Sequence, residues 1–194
     1  MNVLYIDTTT SDLVVALVQN NEIVSVSQRA MGVKHSETLC NKVEELLKTA
    51  QITFNGLDAY ACAVGPGSFT GIRIGISTVK GYATAVPKPY ISVNCLEAIA
   101  RSRNCHGNGF SVIDAGNGYY YYSSLEGTRS NVVPYDDETV KNCSRASGAC
   151  DYLDGAAQII RDKYLRGNFD CSLTPVYIRR SQAEITLEER MKHR

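Results

Sequence analysis

Two aspartates, Asp7 and Asp114, each stand at the end of a predicted strand and directly before a polar turn. The turn after Asp114 is rich in glycine, and glycine lets backbone N–H groups approach a phosphate closely. The turn after Asp7 contains neither glycine nor lysine with which to hold a nucleotide tail, which favours a structural role. A nucleotide-binding hypothesis therefore concerns five residues: Asp7, Thr8, Asp114, Gly116 and Gly118.

A second candidate site is the glycine-rich stretch from Gly65 to Gly75, whose sequence is GPGSFTGIRIG. It follows the apolar run Ala59 to Val64, which predicts a buried strand, and Ser68 can cap the N-terminus of a following helix. A phosphate loop of the Walker type requires a lysine after its last glycine, and Ile72 stands there instead. We therefore reject a Walker site and predict a strand, a turn and the start of a helix.

The residue types argue against metal and disulfide chemistry. The histidines, His35, His106 and His193, do not lie within helical reach of one another. The seven cysteines are scattered and never spaced C-x-x-C, which disfavours both a zinc site and a disulfide framework. We interpret them as reduced thiols of a cytoplasmic protein, and we expect neither a metal nor a cofactor.

The overall composition limits the class of partner. Twenty basic and twenty acidic residues cancel, so no basic field favours autonomous binding of nucleic acid. No apolar run approaches the roughly 18 residues of a membrane span, and the N-terminus does not have the pattern of a signal peptide. We expect a soluble protein with no membrane role. The basic residues of the tail, at 179–180 and 190–194, are diluted by acidic neighbours, which favours a solvated C-terminus.

The hydrophobic pattern places these candidates on an α/β fold. Three β-rich runs open the chain, helical periodicity begins at Ser36, and strands and helices then alternate. The predicted strands are Val3–Ile6, Leu13–Val18, Ile23–Val26, Ala59–Val64 and Tyr90–Val93. The predicted helices are Ser36–Ala50, with Ser36 as its N-cap, then Phe69–Ala85, and a third that Asn94 caps and that ends near Ala100.

A polar, glycine-bearing stretch at residues 101–109 predicts a boundary between two units, 1–105 and 106–194. The second unit repeats the opening strand–turn–strand pattern of the first, which indicates two related subdomains. Its predicted strands are Phe110–Asp114, Tyr119–Leu125 and Asn131–Tyr135, and a helix is predicted at 155–165.

Two helix faces are candidates for contact with a partner. Gly71 and Gly75 lie one turn apart in the second predicted helix, and each costs about 1 kcal/mol relative to alanine. Close approach of another helix would explain them, but the two helices could equally pack on each other or on the sheet. The candidate partner-binding residues are His35, Ser36, Leu39, Val43 and Leu47 on the first helix and Gly71, Gly75, Thr78 and Tyr82 on the second. If this face binds a partner, Gly75→Leu should abolish binding and leave the fold intact.

Four motifs together resemble the TsaB (YeaZ) family: Asp7-Thr8-Thr9, His35-Ser36-Glu37, the glycine-rich stretch, and Pro175-Val176-Tyr177-Ile178-Arg179. The resemblance implies an actin-like (ASKHA, ribonuclease H-like) α/β fold with two subdomains, each built on a mixed sheet, of which the second is reduced. It also implies a non-catalytic subunit that binds TsaD through helices 36–50 and 69–85. TsaD would then transfer a threonylcarbamoyl group to the adenosine beside the tRNA anticodon.

The same resemblance implies further partners and bears on the rival functions. It implies that TsaE joins a larger complex, that the lone chain can form a homodimer, and that tRNA is contacted only indirectly. The related TsaD enzymes carry a metal-binding H-x-x-x-H where this chain has Cys95 and Ile99. Isoleucine cannot ligate a metal, which argues against the metallopeptidase name that some relatives carry. Asp7 and Asp114 occupy the places where actin-like ATPases hold metal and phosphate, so the alternative function is a small actin-like ATPase or phosphotransferase that uses magnesium.

Overall fold

Five strands form the first sheet in the computed structural model, which describes residues 1–20, 22–28, 34–102, 110–124, 130–178 and 191. The strands are β1 (Val3–Asp7), β2 (Leu13–Val18), β3 (Ile23–Gln28), β4 (Ala59–Gly65) and β5 (Tyr90–Asn94). They lie in the order β3-β2-β1-β4-β5. The first three are antiparallel neighbours, whereas β4 runs parallel to β1 and to β5. The mixed sheet expected from the resemblance is confirmed.

A second, smaller sheet repeats this arrangement. Its strands are β6 (Phe110–Gly116), β7 (Tyr119–Ser124), β8 (Ser130–Pro134) and β9 (Ser144–Ala146). They lie in the order β8-β7-β6-β9, with β6 antiparallel to β7 and parallel to β9. The described part of this sheet therefore matches the first four positions of the first sheet and has no counterpart of β5. The predicted boundary at residue 105 lies outside the described residues and stays a prediction.

In the described part of the chain, four α-helices cover the sheets: α1 (His35–Thr49), α2 (Phe69–Ala85), α3 (Cys95–Arg101) and α4 (Leu153–Leu165). α1 and α2 pack on one face of the first sheet, where Leu4 and Ile6 belong to their core. α3 and α4 pack on the other face, and Ile113 and Tyr121 of the second sheet join that core. Because side chains alternate along a strand, Tyr5 and Asp7 of β1 point toward the second subdomain.

Side-chain caps begin two of the described α-helices, α2 and α3, whereas α1 and α4 begin without one. Ser68 accepts a hydrogen bond from Gly71 N, and Asn94 accepts from the backbone of the first turn of α3, so both predicted caps are confirmed. The predicted Ser36 cap is wrong. Lys34 is the N-cap of α1 and makes no side-chain cap bond, while Ser36 lies exposed inside the helix. The short strand β9 carries only three residues and was not predicted.

After α4 the chain returns to the first sheet. Asp170 N donates a 2.9 Å hydrogen bond to Tyr90 O, and Val176 N donates a 2.8 Å bond to Val64 O. The Asp170 carboxylate also accepts a 2.7 Å bond from Ser92 N, which covers the edge of β5. None of the helices in the described ranges combines the length and apolar character that crossing a bilayer requires.

Candidate functional site

The turn between β1 and β2, residues 8–12, lies where both subdomains and both outer helices meet. Thr8 Oγ1 donates a 2.7 Å hydrogen bond to Gly71 O of α2, and Ser68 N donates a 2.7 Å bond to Thr9 O. His35 Nε2 at the start of α1 donates a 2.8 Å bond to Thr10 O. The turn therefore fixes the N-terminal ends of α1 and α2 relative to the sheet.

The same turn is tied to the second subdomain. Thr10 Oγ1 accepts a 3.0 Å hydrogen bond from Ala149 N, and Asp12 Oδ2 accepts a 3.2 Å bond from Cys150 N. Gly148 lies directly against the Asp12 carboxylate, and a Cβ at this position would overlap it. A side chain at residue 148 would therefore displace the Asp12 carboxylate from this contact.

Asp7 lies at the centre of this contact and is completely buried. Its Oδ1 accepts hydrogen bonds of 2.8 Å from Thr9 N and 2.7 Å from Thr9 Oγ1. Its Oδ2 accepts bonds of 3.0 Å from the Tyr5 hydroxyl and 2.9 Å from the Tyr152 hydroxyl. Both oxygens of the Asp7 carboxylate thus have internal hydrogen-bond partners. The bond from Tyr152 joins the two subdomains.

Burial shifts the acid–base behaviour of this cluster. It raises the pKa of Asp7, and the hydrogen bonds from Thr9, Tyr152 and Tyr5 oppose that rise. It also raises the pKa of Cys95 to about 12, with the negative charge of Asp7 adding to the rise. The Cys95 thiol lies 3.3 Å from Thr9 Oγ1 and is fully buried. A thiol with this pKa is protonated at neutral pH, which makes it a poor nucleophile.

A cleft of about 420 Å³ opens between the subdomains, beside the β1–β2 turn. This volume is in the range of small-molecule sites. The residues that line it include Thr9 and Ser11 of the turn, Phe69 of α2, Asp114 of β6 and Tyr177. None of the described residues that line the cleft is basic, but the exposed Arg73 guanidinium packs on two of them, Phe69 and Tyr177.

The five residues of the nucleotide-binding hypothesis do not all line the cleft. Asp114 and Gly116 line the cleft, whereas Asp7 is buried beneath it and does not. Asp114 Oδ1 accepts hydrogen bonds of 2.6 Å from Gly116 N and 2.7 Å from the Tyr135 hydroxyl. Gly118 has a φ of +82° and completes the hairpin turn. The two aspartates therefore end corresponding strands of the two sheets, but only Asp114 faces the cleft.

Several residues predicted to bind a partner instead form the protein's own core. Leu39, Val43 and Leu47 of α1 are buried against the first sheet. Gly71 and Gly75 are buried as well, and the segment that approaches them is the β1–β2 turn rather than another helix. A Cβ at residue 75 would lie 2.7 Å from Thr8 Oγ1. Placing these five residues on a partner-binding surface is therefore wrong, because the protein's own sheet and turn cover them.

Of the four remaining candidates, His35 is half-buried against the β1–β2 turn, and the other three lie on a face that the described chain leaves open. Ser36 is exposed, and Thr78 and Tyr82 are half-buried. The Tyr82 hydroxyl contacts the Cys40 thiol of α1, which joins the two helices. We call the surface formed by Ser36, Cys40, Ile74, Thr78, Gly81 and Tyr82 the α1–α2 face. Nothing in the described chain lies within 4 Å of the position that a Cβ of Gly81 would take. Sequence reasoning missed this glycine, although its helical position was a signal.

The positions that match the metal-binding histidines of TsaD enzymes lie in the interior. Cys95 and Ile99 of α3 are both fully buried. Within the described ranges, no group of three or more histidine, cysteine or acidic side chains is arranged to hold a metal ion. His106, His193 and the basic residues at 179–180 and 190–194 fall outside the described residues, apart from Met191.

Comparison with known proteins agrees with the fold. The family model described as TsaD, tRNA N6-adenosine threonylcarbamoyltransferase, matches residues 22–185. The "tRNA threonylcarbamoyladenosine biosynthesis protein TsaB" of Escherichia coli is 31% identical over 142 residues, which are 72% of this chain and 61% of that protein. The protein of the same name from Bacillus subtilis is 30% identical over 138 residues, which are 69% of this chain and 60% of that protein. The chain thus spans about 60% of the length of these relatives.

Solved structures show the same architecture. A Pseudomonas aeruginosa protein described as similar to peptidase YEAZ superposes with a TM-score of 0.75 at 23% identity, covering 92% of this chain and 99% of that one. Another structure, named YeaZ from the same organism, superposes with a TM-score of 0.71. The family match over most of the chain and the named relatives lead to one assignment: the chain belongs to the TsaB (YeaZ) family, within the group that the TsaD family model covers.

Proposed function

We propose that this chain is a non-catalytic subunit in the biosynthesis of threonylcarbamoyladenosine in tRNA, and that it acts by binding TsaD. In this proposal TsaD carries the chemistry of threonylcarbamoyl transfer to the adenosine beside the anticodon. The observation that carries the proposal is the burial and internal hydrogen bonding of Asp7. The carboxylate that would hold a metal or phosphate in an actin-like ATPase is fully buried and accepts four internal hydrogen bonds.

A metal ion could reach Asp7 only if the contact between the subdomains opened. The Tyr152 and Tyr5 hydroxyls would have to leave Oδ2, and each lost hydrogen bond to a buried charged group costs about 1.5–3 kcal/mol. Carboxylates that serve metals are instead open to a site with several ligands. The Asp7 cluster is therefore best explained as a structural joint between the subdomains.

The α1–α2 face supplies a surface for TsaD. Gly81 lies in the interior of α2, where glycine costs about 1 kcal/mol relative to alanine, and the described chain has no atom that requires it. Small residues on a helix surface let a second helix approach closely. Thr78 and Ile74 lie on the same side of α2, and Cys40 and Ser36 continue the face onto α1. A helix of TsaD packed over Gly81 would account for the glycine.

Further parts of the proposal concern assembly and compartment. TsaE would join the complex of this chain with TsaD, and tRNA would be contacted only through that complex. In the absence of TsaD, a second copy of the chain would cover the α1–α2 face and form a homodimer. The six described cysteines all carry free thiols, which supports action in the reducing cytoplasm.

The test is co-purification with TsaD. Gly81→Trp places a large side chain on the α1–α2 face and should abolish binding while the variant still folds. Leu165→Trp is the matched control, because Leu165 is 78% exposed on α4, away from this face. The proposal is contradicted if Gly81→Trp binds TsaD as the wild-type protein does, or if the isolated wild-type chain transfers threonylcarbamoyl groups to tRNA.

A second candidate function is a small actin-like ATPase or phosphotransferase. The observation that favours it is the cleft of about 420 Å³ with Asp114 on its wall. It requires submicromolar nucleotide binding by the purified chain alone, abolished by Asp114→Ala. Nucleotide binding that Asp137→Asn leaves intact and Asp114→Ala removes would favour this candidate over the subunit role.

A further inference from the structure

The segment that follows Leu173 forms one wall of the cleft between the subdomains. Val176 and Tyr177 line the cleft. A Cβ added at Gly65 would lie 2.8 Å from Val176 O, so the segment passes directly over the last residue of β4. Leu173 is buried in the core beneath α1 and α2, whereas Ile178 packs against the core on the other face of the sheet. The chain between them therefore crosses the end of the first sheet beside the cleft.

Few backbone contacts hold this segment, residues 174–178, which we call the strap. It forms neither a helix nor a strand. Within the described residues, Val176 N is the one backbone N–H of the strap that has a hydrogen-bond partner, Val64 O at 2.8 Å. Local opening takes least free energy where few buried contacts and few backbone hydrogen bonds hold the chain. The position of the strap therefore depends strongly on its side chains.

The side-chain contacts of the strap converge on the N-terminal end of α2. The Tyr177 ring packs on Phe69, with the ring centroids 4.9 Å apart. Arg73 Nε donates a 3.2 Å hydrogen bond to the Tyr177 hydroxyl. The Arg73 guanidinium also lies over the Phe69 ring, with its central carbon 3.9 Å from the ring centroid. Arg73 thus joins the strap to the helix and to the ring on which the strap packs.

From these contacts we propose that the strap is a lid on the cleft, and that Arg73 is the latch that holds it closed. Phe69 is 36% exposed and Tyr177 is 42% exposed, so water can replace their contacts without disturbing the core. Leu173 is fully buried and would remain as the fixed end.

Opening of the strap would change the cleft on one side. It would remove Val176 and Tyr177 from the wall of the cleft and uncover the end of β4 at Gly65. Segments that cover a cleft of this size commonly act as lids that admit or enclose a small molecule. This inference does not depend on whether the chain binds TsaD.

The test measures amide hydrogen exchange at single residues of the full chain by NMR. Two amides after α4 are compared, because both donate to the first sheet: Val176 N–H over 2.8 Å and Asp170 N–H over 2.9 Å. Arg73→Met removes the guanidinium and should speed exchange at Val176 about three- to tenfold. Tyr177→Phe removes only the hydroxyl and should speed it about two- to threefold. Neither variant should change exchange at Asp170.

Lys80→Met is the matched control, because Lys80 is a second exposed cation on α2, about two turns beyond Arg73. It should change exchange at Val176 less than about twofold. If Arg73→Met and Tyr177→Phe both leave exchange at Val176 at the wild-type rate, Arg73 is not a latch and the inference is overturned. It is also overturned if the Val176 and Asp170 amides speed up by the same factor, because the whole segment after α4 then loosens together.

The wild-type protein supplies a further check on the lid. Its Val176 amide should exchange at least about tenfold faster than the amides inside β4, because the strap opens without global unfolding. Exchange of all these amides at one common rate would show that the strap does not open as a separate unit, and the lid would be disproved. None of these outcomes bears on the subunit role, which co-purification with TsaD tests separately.

Discussion

The Tyr152 hydroxyl donates a 2.9 Å hydrogen bond to the Asp7 carboxylate, across 145 positions of the sequence. Asp7 ends the first strand of the first sheet, and Tyr152 precedes the last described helix. Both side chains are fully buried. This bond places the end of the first strand inside the contact between the subdomains.

Removing that hydroxyl should loosen the contact. Tyr152→Phe keeps the ring and leaves Asp7 Oδ2 with Tyr5 as its remaining partner, so we expect a loss of about 1–3 kcal/mol in the free energy of unfolding. Urea denaturation measures it. Tyr135→Phe is the control, because it removes a hydrogen bond to Asp114 at an exposed site, and its effect should be smaller. Equal losses in the two variants would contradict the central role of Asp7.

Stability should also depend on pH through Asp7. Burial raises the folded-state pKa of this carboxyl above its ordinary value of 3.8. Between the two values the folded protein binds more protons than the unfolded chain, so the contribution of Asp7 to stability is present below the unfolded pKa. It is lost as the pH rises through the folded pKa. Asp7→Asn removes the titration, and its amide can donate to Tyr5 and Tyr152.

The measurement is the free energy of unfolding as a function of pH for the wild-type protein and for Asp7→Asn. The wild-type curve should fall more steeply than the variant's curve in the acidic to neutral range. Asp137→Asn serves as the control, since the pKa of Asp137 is lowered by its hydrogen bonds with Thr139. If the curves of wild type and Asp7→Asn are parallel, the Asp7 carboxyl does not titrate as the structure indicates.

Two glycines of α2 should respond to alanine in opposite directions. Gly81→Ala adds a methyl group to open space and should stabilise the protein by about 0.5–1 kcal/mol, because alanine favours the helix. Gly75→Ala brings Cβ within 2.7 Å of Thr8 Oγ1 and 3.3 Å of Cys62 Sγ and should destabilise it. Thermal unfolding of both variants decides the matter. The sequence predicts that Gly75→Leu leaves the fold intact, but the structure has no room for a side chain at residue 75. We therefore expect this variant to disrupt the fold.

The cysteines should react with a thiol reagent in two groups. Cys40 and Cys171 are exposed, whereas Cys62 and Cys95 are buried. Burial raises the pKa of the Cys95 thiol to about 12. The reagent therefore has little access to this thiol, and little of the thiol is present as the reactive thiolate. Peptide mapping after brief labelling should find the first pair modified and the second pair only after denaturation. Rapid labelling of Cys95 in the folded protein would show that the contact between the subdomains opens readily.

Sequence patterns predicted the elements whose signals are local. The bounds of α2 follow from the Ser68 cap and the prolines after Ala85, and the strands of the first sheet follow from their apolar runs. β9 could not be predicted, because its three residues have no periodicity and pair with β6 only after a long connection. Likewise, the sequence offered no reason to exclude Ser36 as a cap, but the N-cap of α1 is Lys34, two residues earlier.

The site was harder to predict than the fold, because it depends on which surface each residue meets. Helical spacing grouped Leu39 and Val43 correctly on one face, but the same spacing describes a face buried on the sheet and a face that binds a partner. The partner of Gly71 is the backbone of Thr8, 63 residues away in sequence. Only the assembled sheet brings that turn against the helix.

The return of the chain from α4 to the first sheet makes the two halves interdependent. Asp170 shields the edge of β5, and Val176 bonds to Val64 at the end of β4. A fragment that stops at Ser102 would present a bare parallel strand to any neighbouring chain, and such edges promote aggregation. The two halves of the internal repeat therefore cannot be expressed as separate modules. The segment after α4 covers the edge of the first sheet, and a fragment without that segment would leave the edge open.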